Sequence, residues 1–147
     1  MFSIIIPTFN NIEYLKTCIE SIKKNSAYTH EIIPHVNEGT DGTLDYLKNN
    51  NIAYTYTSHN SGICTGMNMA AKKAKTQYIL YAHDDFYFCP NWDHVLINEI
   101  NKINHNSFYL SGTMVNNGQI QLDCGSDLET FDEERLLKEI NNVNYYD

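Results

Sequence analysis

Apolar and polar positions along the chain switch repeatedly between two periods. Residues 2–6 form a nearly continuous, β-branched apolar run that stops at Pro7, the pattern of a strand buried on both faces. The spacing then changes. Ile12, Leu15, Ile19 and Ile22 fall on one helical face, and Asn10 followed by Glu13 has the form of a capping box. Residues 31–36 predict a second strand, 43–48 part of a helix, 52–56 a third strand, 66–75 a helix and 77–82 another buried strand. Strands and helices in regular alternation predict an α/β fold with a mostly parallel central sheet flanked by helices, over about residues 1–104. Further on, residues 107–115 and 119–123 read as strands joined by a hairpin turn at Asn116, Asn117 and Gly118. A final amphipathic helix over 132–142 turns Leu136, Leu137 and Ile140 inward.

With 147 residues, 42% of them hydrophobic and 19% charged, the chain has the length and composition of one globular domain. Ten Lys plus Arg against eighteen Asp plus Glu leave a formal charge of −8, so nonspecific nucleic-acid binding would work against phosphate repulsion. An anionic ligand would need backbone amides or a metal ion to offset that field. Cys18, Cys64, Cys89 and Cys124 include no CxxC pair, which excludes a zinc ribbon and reads as reduced thiols. The amino-terminal stretch lacks a basic region and a long apolar run, so neither a signal peptide nor a membrane span is expected, and the cytoplasm is the expected location.

Polar clusters follow three of the predicted strands: Pro-Thr-Phe-Asn-Asn at 7–11, Asn-Glu-Gly-Thr-Asp-Gly-Thr at 37–43, and His-Asp-Asp at 83–85. In open α/β sheets, ligands bind beyond the carboxyl ends of the strands. The adjacent carboxylates Asp84 and Asp85 repel each other, so something must compensate them. Either they form a solvated turn that caps the next helix, or one binds a divalent cation while the other accepts hydrogen bonds from a ligand hydroxyl. Magnesium or manganese suits such hard oxygen ligands and completes its shell with water and substrate phosphates. His83 is a polar loop residue or a neighbour of that ion. In 37–43, Gly39 and Gly42 allow close backbone approach, and Thr40 or Asp41 can cap the next helix. Residues 59–74 bring a Gly-rich turn to a helix start, whose amides attract anions, without a P-loop or a GxGxxG pattern. Asn68 on that helix faces either water or a ligand.

Taken in order, these clusters resemble the inverting glycosyltransferases of family 2, which have the nucleotide-sugar-binding GT-A fold. Residues 3–22 look like the family's opening strand, Pro-Thr turn and helix. Residues 36–43 resemble its V-D-D-G-S-x-D-G-T turn, one residue shorter and with Asn37 and Glu38 in place of the usual acids. Residues 60–74 are similar to its N-x-G-x-x-x-A-x-N segment, with Gly66 replacing the alanine, and 83–92 to its D-x-D loop, with His83 replacing the first acid. The match covers about residues 2–95.

This resemblance implies that Pro7, Thr8 and Phe9 flank the nucleotide base and that Asn37 or Glu38 contacts base or ribose. Asn68 would join this nucleotide site. Asp84 would lie near the ribose or sugar, and Asp85 would be the manganese or magnesium ligand through which the diphosphate is held. It further implies a nucleotide diphosphate sugar donor, with uridine diphosphate first in line, and a glycan or other hydroxyl acceptor. Residues 105–147 are expected to begin an acceptor-side part that is incomplete here. The catalytic base is not identified: Asp123, Asp127, Asp132, Glu133 and Glu134 lie in the right broad region, but they also fit a solvated helix start. Two other readings are a non-catalytic or shortened donor-binding module and a nucleotidyltransferase. The latter generally has a basic Gly-rich loop after the first strand, where this chain has only Lys16, well into the helix.

Overall fold

A computed structural model describes residues 1–115 and 120–142. The chain divides into two compact units, Met1–His94 and a second that begins at Val95.

The first unit is built on a four-stranded, wholly parallel sheet in the order β3-β2-β1-β4. Its elements are β1 (Phe2–Phe9), α1 (Ile12–Asn25), β2 (Glu31–Asn37), α2 (Thr43–Asn49), β3 (Thr55–Thr57), α3 (Ile63–Ala71) and β4 (Tyr78–Tyr81), followed by the start of α4 (Trp92–Ile100). Parallel neighbours require a crossover, and each connection carries a helix, as the alternation predicts. β1 is the centre of the sheet and is buried from Phe2 to Thr8. Ile5 packs with its register partner Ile33 against Ala70 of α3, with Met67, Ala71 and Ala74 alongside. Ile4 and Ile6 point to the other face and are also fully buried. Each such side chain contributes about 1.5–3 kcal/mol by leaving water. Leu15, Cys18, Ile19 and Ile22 form the buried stripe of α1.

Several boundaries differ from those the sequence predicts. β1 runs through Pro7 to Phe9. Pro7 pairs with His35 of β2, while the β4 ladder has already ended at Tyr81, so a missing N–H is tolerated where β1 leaves β4. β4 is an edge strand rather than a doubly buried one, with Ile79 and Tyr81 exposed. Ile52 belongs to the end of α2 and not to β3. Asn51 adopts a left-handed φ of 53°, and the bonds from Asn51 N–H to Lys48 O and from Ile52 N–H to Leu47 O close a Schellman motif. α3 begins at Ile63 and gives way after Ala71 to tighter turns, with Lys73 N–H bonded to Ala70 O and Ala74 N–H to Ala71 O.

The predicted capping box is also absent. Asn10 has a left-handed φ of 45° and turns its Oδ1 toward Thr40 N–H, 2.9 Å away. Asp41 from the neighbouring turn caps α1 instead, accepting from Ile12 N–H at 2.8 Å.

In the second unit, α5 (Glu133–Glu139) continues into a 3₁₀ turn at Ile140–Asn142. Its cap is Asp132, which accepts from Arg135 N–H at 2.9 Å. Leu136 is buried, while Leu137 and Ile140 are half-buried. Residues 107–114 form no strand, and Val115 and Ile120 meet only in an isolated parallel bridge. An extended segment needs a ladder partner to satisfy its backbone, and none is present among the described residues. The predicted turn at Asn116, Asn117 and Gly118 lies outside the described residues, as does Gln119, the first residue of the second predicted strand. Among the described residues, no helix is long and apolar enough to cross a membrane.

Candidate functional site

From β1 the sheet grows one way through β2 to β3 and the other way to β4, so the order reverses between β1 and β4. At such a switch point the helices leave on opposite sides and a crevice opens at the carboxyl ends. Those two ends carry Thr8 and Phe9 from β1 and the His83-Asp84-Asp85 turn after β4.

One hydrogen bond fastens the two strand ends across this gap: Thr8 Oγ1 donates to Asp84 Oδ2 at 2.6 Å. Burial raises the pKa of Asp84, the bonds from Thr8 and Asn11 partly oppose that rise, and the charge of Asp85 adds to it. Asp84 is thus half-buried and held in place, whereas Asp85 is exposed. The two carboxylates occupy different environments, which answers how the chain carries them side by side. His83 is packed between rings, 5.0 Å from Tyr81 and 5.2 Å from Phe86 by centroids, and its Nε2 lies 2.8 Å from the Tyr81 hydroxyl. Among the described residues, no group of three or more His, Cys, Asp or Glu stands ready to hold a metal ion. Among the described residues a preformed protein cage is therefore not built. The donor set present is a carboxylate open to solvent beside a second one, which fits an ion that takes most of its shell from water and a substrate diphosphate.

The β2 end contributes a second cluster. Asn37 is buried, 3% exposed. Its Oδ1 accepts from Ser61 N–H at 2.8 Å and from Ser61 Oγ at 2.9 Å, and its Nδ2 donates to Thr8 O at 3.4 Å. Asn37 thus ties β1 to the turn that leads into α3. Glu38, the next residue, has a left-handed φ of 62° and donates its N–H to Thr57 O at 2.9 Å. A non-glycine residue in that conformation is strained, and such strain gathers at binding sites. The glycine after it, Gly39, has a φ of 71°, so this turn uses its glycine for backbone shape.

Asp41 laces two turns together. Besides Ile12 it accepts from Thr43 N–H at 3.1 Å and Thr43 Oγ1 at 2.7 Å, so one carboxylate serves the starts of both α1 and α2. Burial alone would raise its pKa, but these bonds outweigh burial and lower it.

Of the residues singled out by sequence, Thr8 and Asp84 are in direct contact and Asp85 follows them. Phe9 projects at the β1 end, 46% exposed. Pro7 is buried within the strand, and Asn68 is exposed on α3. Asn11 and Ser61 join the site without having been expected there. Their only signal was to lie in the same polar turns, because their partners, Asp84 and Asn37, are distant in sequence.

Comparison with known proteins bears on the family and the fold. The family described as Glycosyl transferase family 2 matches residues 3–140. An uncharacterized glycosyltransferase of Rickettsia prowazekii (strain Madrid E) is 28% identical over 142 residues, covering 92% of this chain and 44% of the relative. Another, of Rickettsia typhi (strain ATCC VR-144 / Wilmington), is 32% identical over 109 residues, covering 71% and 33%. The chain thus spans less than half the length of these curated relatives. Among solved structures, S. aureus TarS 1-349 superposes with a TM-score of 0.64 at 23% identity, covering 84% of this chain and 38% of TarS 1-349. The same protein in complex with UDP gives 0.62 at 24% identity, covering 69% and 32%. These likenesses establish the GT-A fold.

Proposed function

The chain belongs to glycosyl transferase family 2, and on that premise we propose that it moves a sugar from a nucleotide diphosphate sugar to an acceptor hydroxyl with inversion, the diphosphate lying in the crevice between β1 and β4. The observation that carries this reading is the Thr8–Asp84 hydrogen bond at the switch point, which leaves Asp85 exposed beside a fixed carboxylate. Phe9 supplies an exposed aromatic face for the base, with Pro7 and Thr8 forming the strand end behind it. Glu38, presented by its strained turn, hydrogen-bonds base or ribose, and Asn37 holds that turn against Ser61. Asp84 accepts from a ribose or sugar hydroxyl, and Asn68 reaches the ligand from α3. Among the described residues no side chain caps the α3 amino terminus, so its amides are available to the diphosphate.

A formal charge of −8 opposes binding of a diphosphate. Asp85 would hold a manganese or magnesium ion, which when bound neutralises charge growing on the departing nucleoside diphosphate. The acceptor hydroxyl attacks the anomeric carbon from the face opposite the leaving group. The new C–O bond forms as the bond to the diphosphate breaks, and the hydroxyl proton passes to a general base. No residue is assigned to that last role. In this scheme about residues 1–104 are the donor-binding part and residues 105–147 belong to the acceptor side. Uridine diphosphate is the first nucleotide to try, as one structural neighbour was solved in complex with UDP. The acceptor is a glycan or another hydroxyl-bearing molecule.

The test is a thermal melt with uridine, guanosine and thymidine diphosphates, each with and without manganese. Ligand at about a hundred times its dissociation constant should add roughly 2.7 kcal/mol of stability. A manganese-dependent rise with one of them is expected, and no rise with any would defeat the reading.

A further inference from the structure

Gly66 lies in α3 against the imidazole of His35 on β2. A Cβ added at position 66 would sit 2.6 Å from His35 Cδ2 and 3.1 Å from its Cγ, closer than carbon atoms pack. The ring is fully buried and anchored at both nitrogens, with Nδ1 2.7 Å from Thr55 Oγ1 and Nε2 3.3 Å from Thr57 Oγ1. It has nowhere to move. The glycine that stands where the related motif has alanine is thus matched to the ring beneath it.

The same ring is the buried end of a polar chain that reaches the crevice. Thr57 Oγ1 lies 3.2 Å from Asn37 Oδ1, which accepts from Ser61. Asn37 Nδ2 donates to Thr8 O, and Thr8 Oγ1 donates to Asp84. His35, Thr57, Asn37, Thr8 and Asp84 thereby connect β3, β2 and β1 to the turn after β4 beneath the site. We infer that His35 is a positioning residue for the donor site, its ring setting the approach of α3 to β2 through Gly66 and its polar edge ordering the Thr57–Asn37–Ser61 bonds. This rests on the reading of the crevice as a nucleoside diphosphate site.

Two measurements on the full chain test it. In ligand-free melts, Gly66→Ala should destabilise when His35 is present and stabilise in a His35→Ala background, where the methyl fills vacated space and alanine favours the helix. Should Gly66→Ala alone fail to fold, His35→Ala and the double variant give the second half of that sign change. The other measurement is affinity for uridine, guanosine and thymidine diphosphates with manganese. His35→Leu keeps bulk without polarity and should weaken binding by about tenfold through misplacement of the site, and His35→Gln, with a polar end toward Thr57, should recover most of that loss. The inference is overturned if Gly66→Ala has the same effect in both backgrounds, or if His35→Leu binds as tightly as wild type. Failure of the wild-type chain to bind any of the three nucleotides would instead defeat the donor-site reading and the positioning role with it. The ligand-free sign change separately decides the packing.

Discussion

The two units of the chain handle apolar sequence differently. In Met1–His94 the predicted strands and helices found partners: Ile4, Ile5, Ile6, Ile33 and Val36 of β1 and β2 are essentially inaccessible, as are Leu15, Ile19 and Ile22 of α1. After Val95, Tyr109 is 92% exposed, and Leu110 and Met114 are exposed as well, in a stretch with an equally strand-like pattern. The difference is one of pairing. In the first unit every strand lies beside at least one other in a continuous ladder, so burial and backbone hydrogen bonding are satisfied together. In the second, no ladder forms among the described residues, and periodicity alone buries nothing. Hydrophobic pattern is a statement about what a segment can bury, and the neighbour decides whether it does.

Mutations should reproduce this contrast in order of size. Ile5→Ala, at the centre of the sheet and against α3, should cost about 2–5 kcal/mol in denaturant titration. A loss under 1 kcal/mol would mean that β1 is not the core strand. Asp41→Ala removes acceptors for both Ile12 and Thr43 and should cost about 1–2 kcal/mol, the upper range for a lost cap. Because the pKa of Asp41 is lowered in the fold, its contribution is present above the unfolded pKa and lost as pH falls through the folded pKa. The cost of Asp41→Ala should therefore shrink in acid, and a pH-independent cost would contradict the lacing.

Asp84 has the opposite sign. Its pKa is raised, so ionising it at neutral pH works against the fold, and its contribution is lost as pH rises through the folded value. Asp84→Asn keeps an acceptor for Thr8 and should raise the melting temperature slightly near neutrality while weakening nucleotide binding. A lower melting temperature there would show that the carboxylate is a structural group. Smallest of all, Tyr109→Ser should change stability by no more than about 0.5 kcal/mol, as for an exposed residue without partners in a core. A large loss would show that residues 107–114 are packed after all.

Much of the first unit could be read from the chain because its signals are local. The period of Ile12, Leu15, Ile19 and Ile22 specifies the α1 face without knowledge of anything else, and the apolar run at 2–6 specifies a central strand. What could not be read depends on partners distant in sequence. Asn10 and Glu13 look like a capping box, yet Asp41 takes that role from the next βα turn. Asn51 looks like any polar loop residue, yet its left-handed φ draws Ile52 out of the strand that its side chain suggests. At the site, the turns at 7–11, 37–43 and 83–85 were visible as clusters. The bond from Thr8 to Asp84 and the burial of Asn37 were not, because they follow from β4 pairing beside β1 and from the fold of the turn before α3.

Calorimetric titration of uridine diphosphate into the wild-type chain and into Asp85→Ala, each with and without manganese, decides whether the crevice between β1 and β4 binds a nucleoside diphosphate through a metal ion at Asp85. Manganese-dependent binding by the wild type, its loss in Asp85→Ala, and an unchanged ligand-free melt are expected, since Asp85 is exposed. Equal manganese-dependent affinity in the two proteins would contradict a metal ion at Asp85.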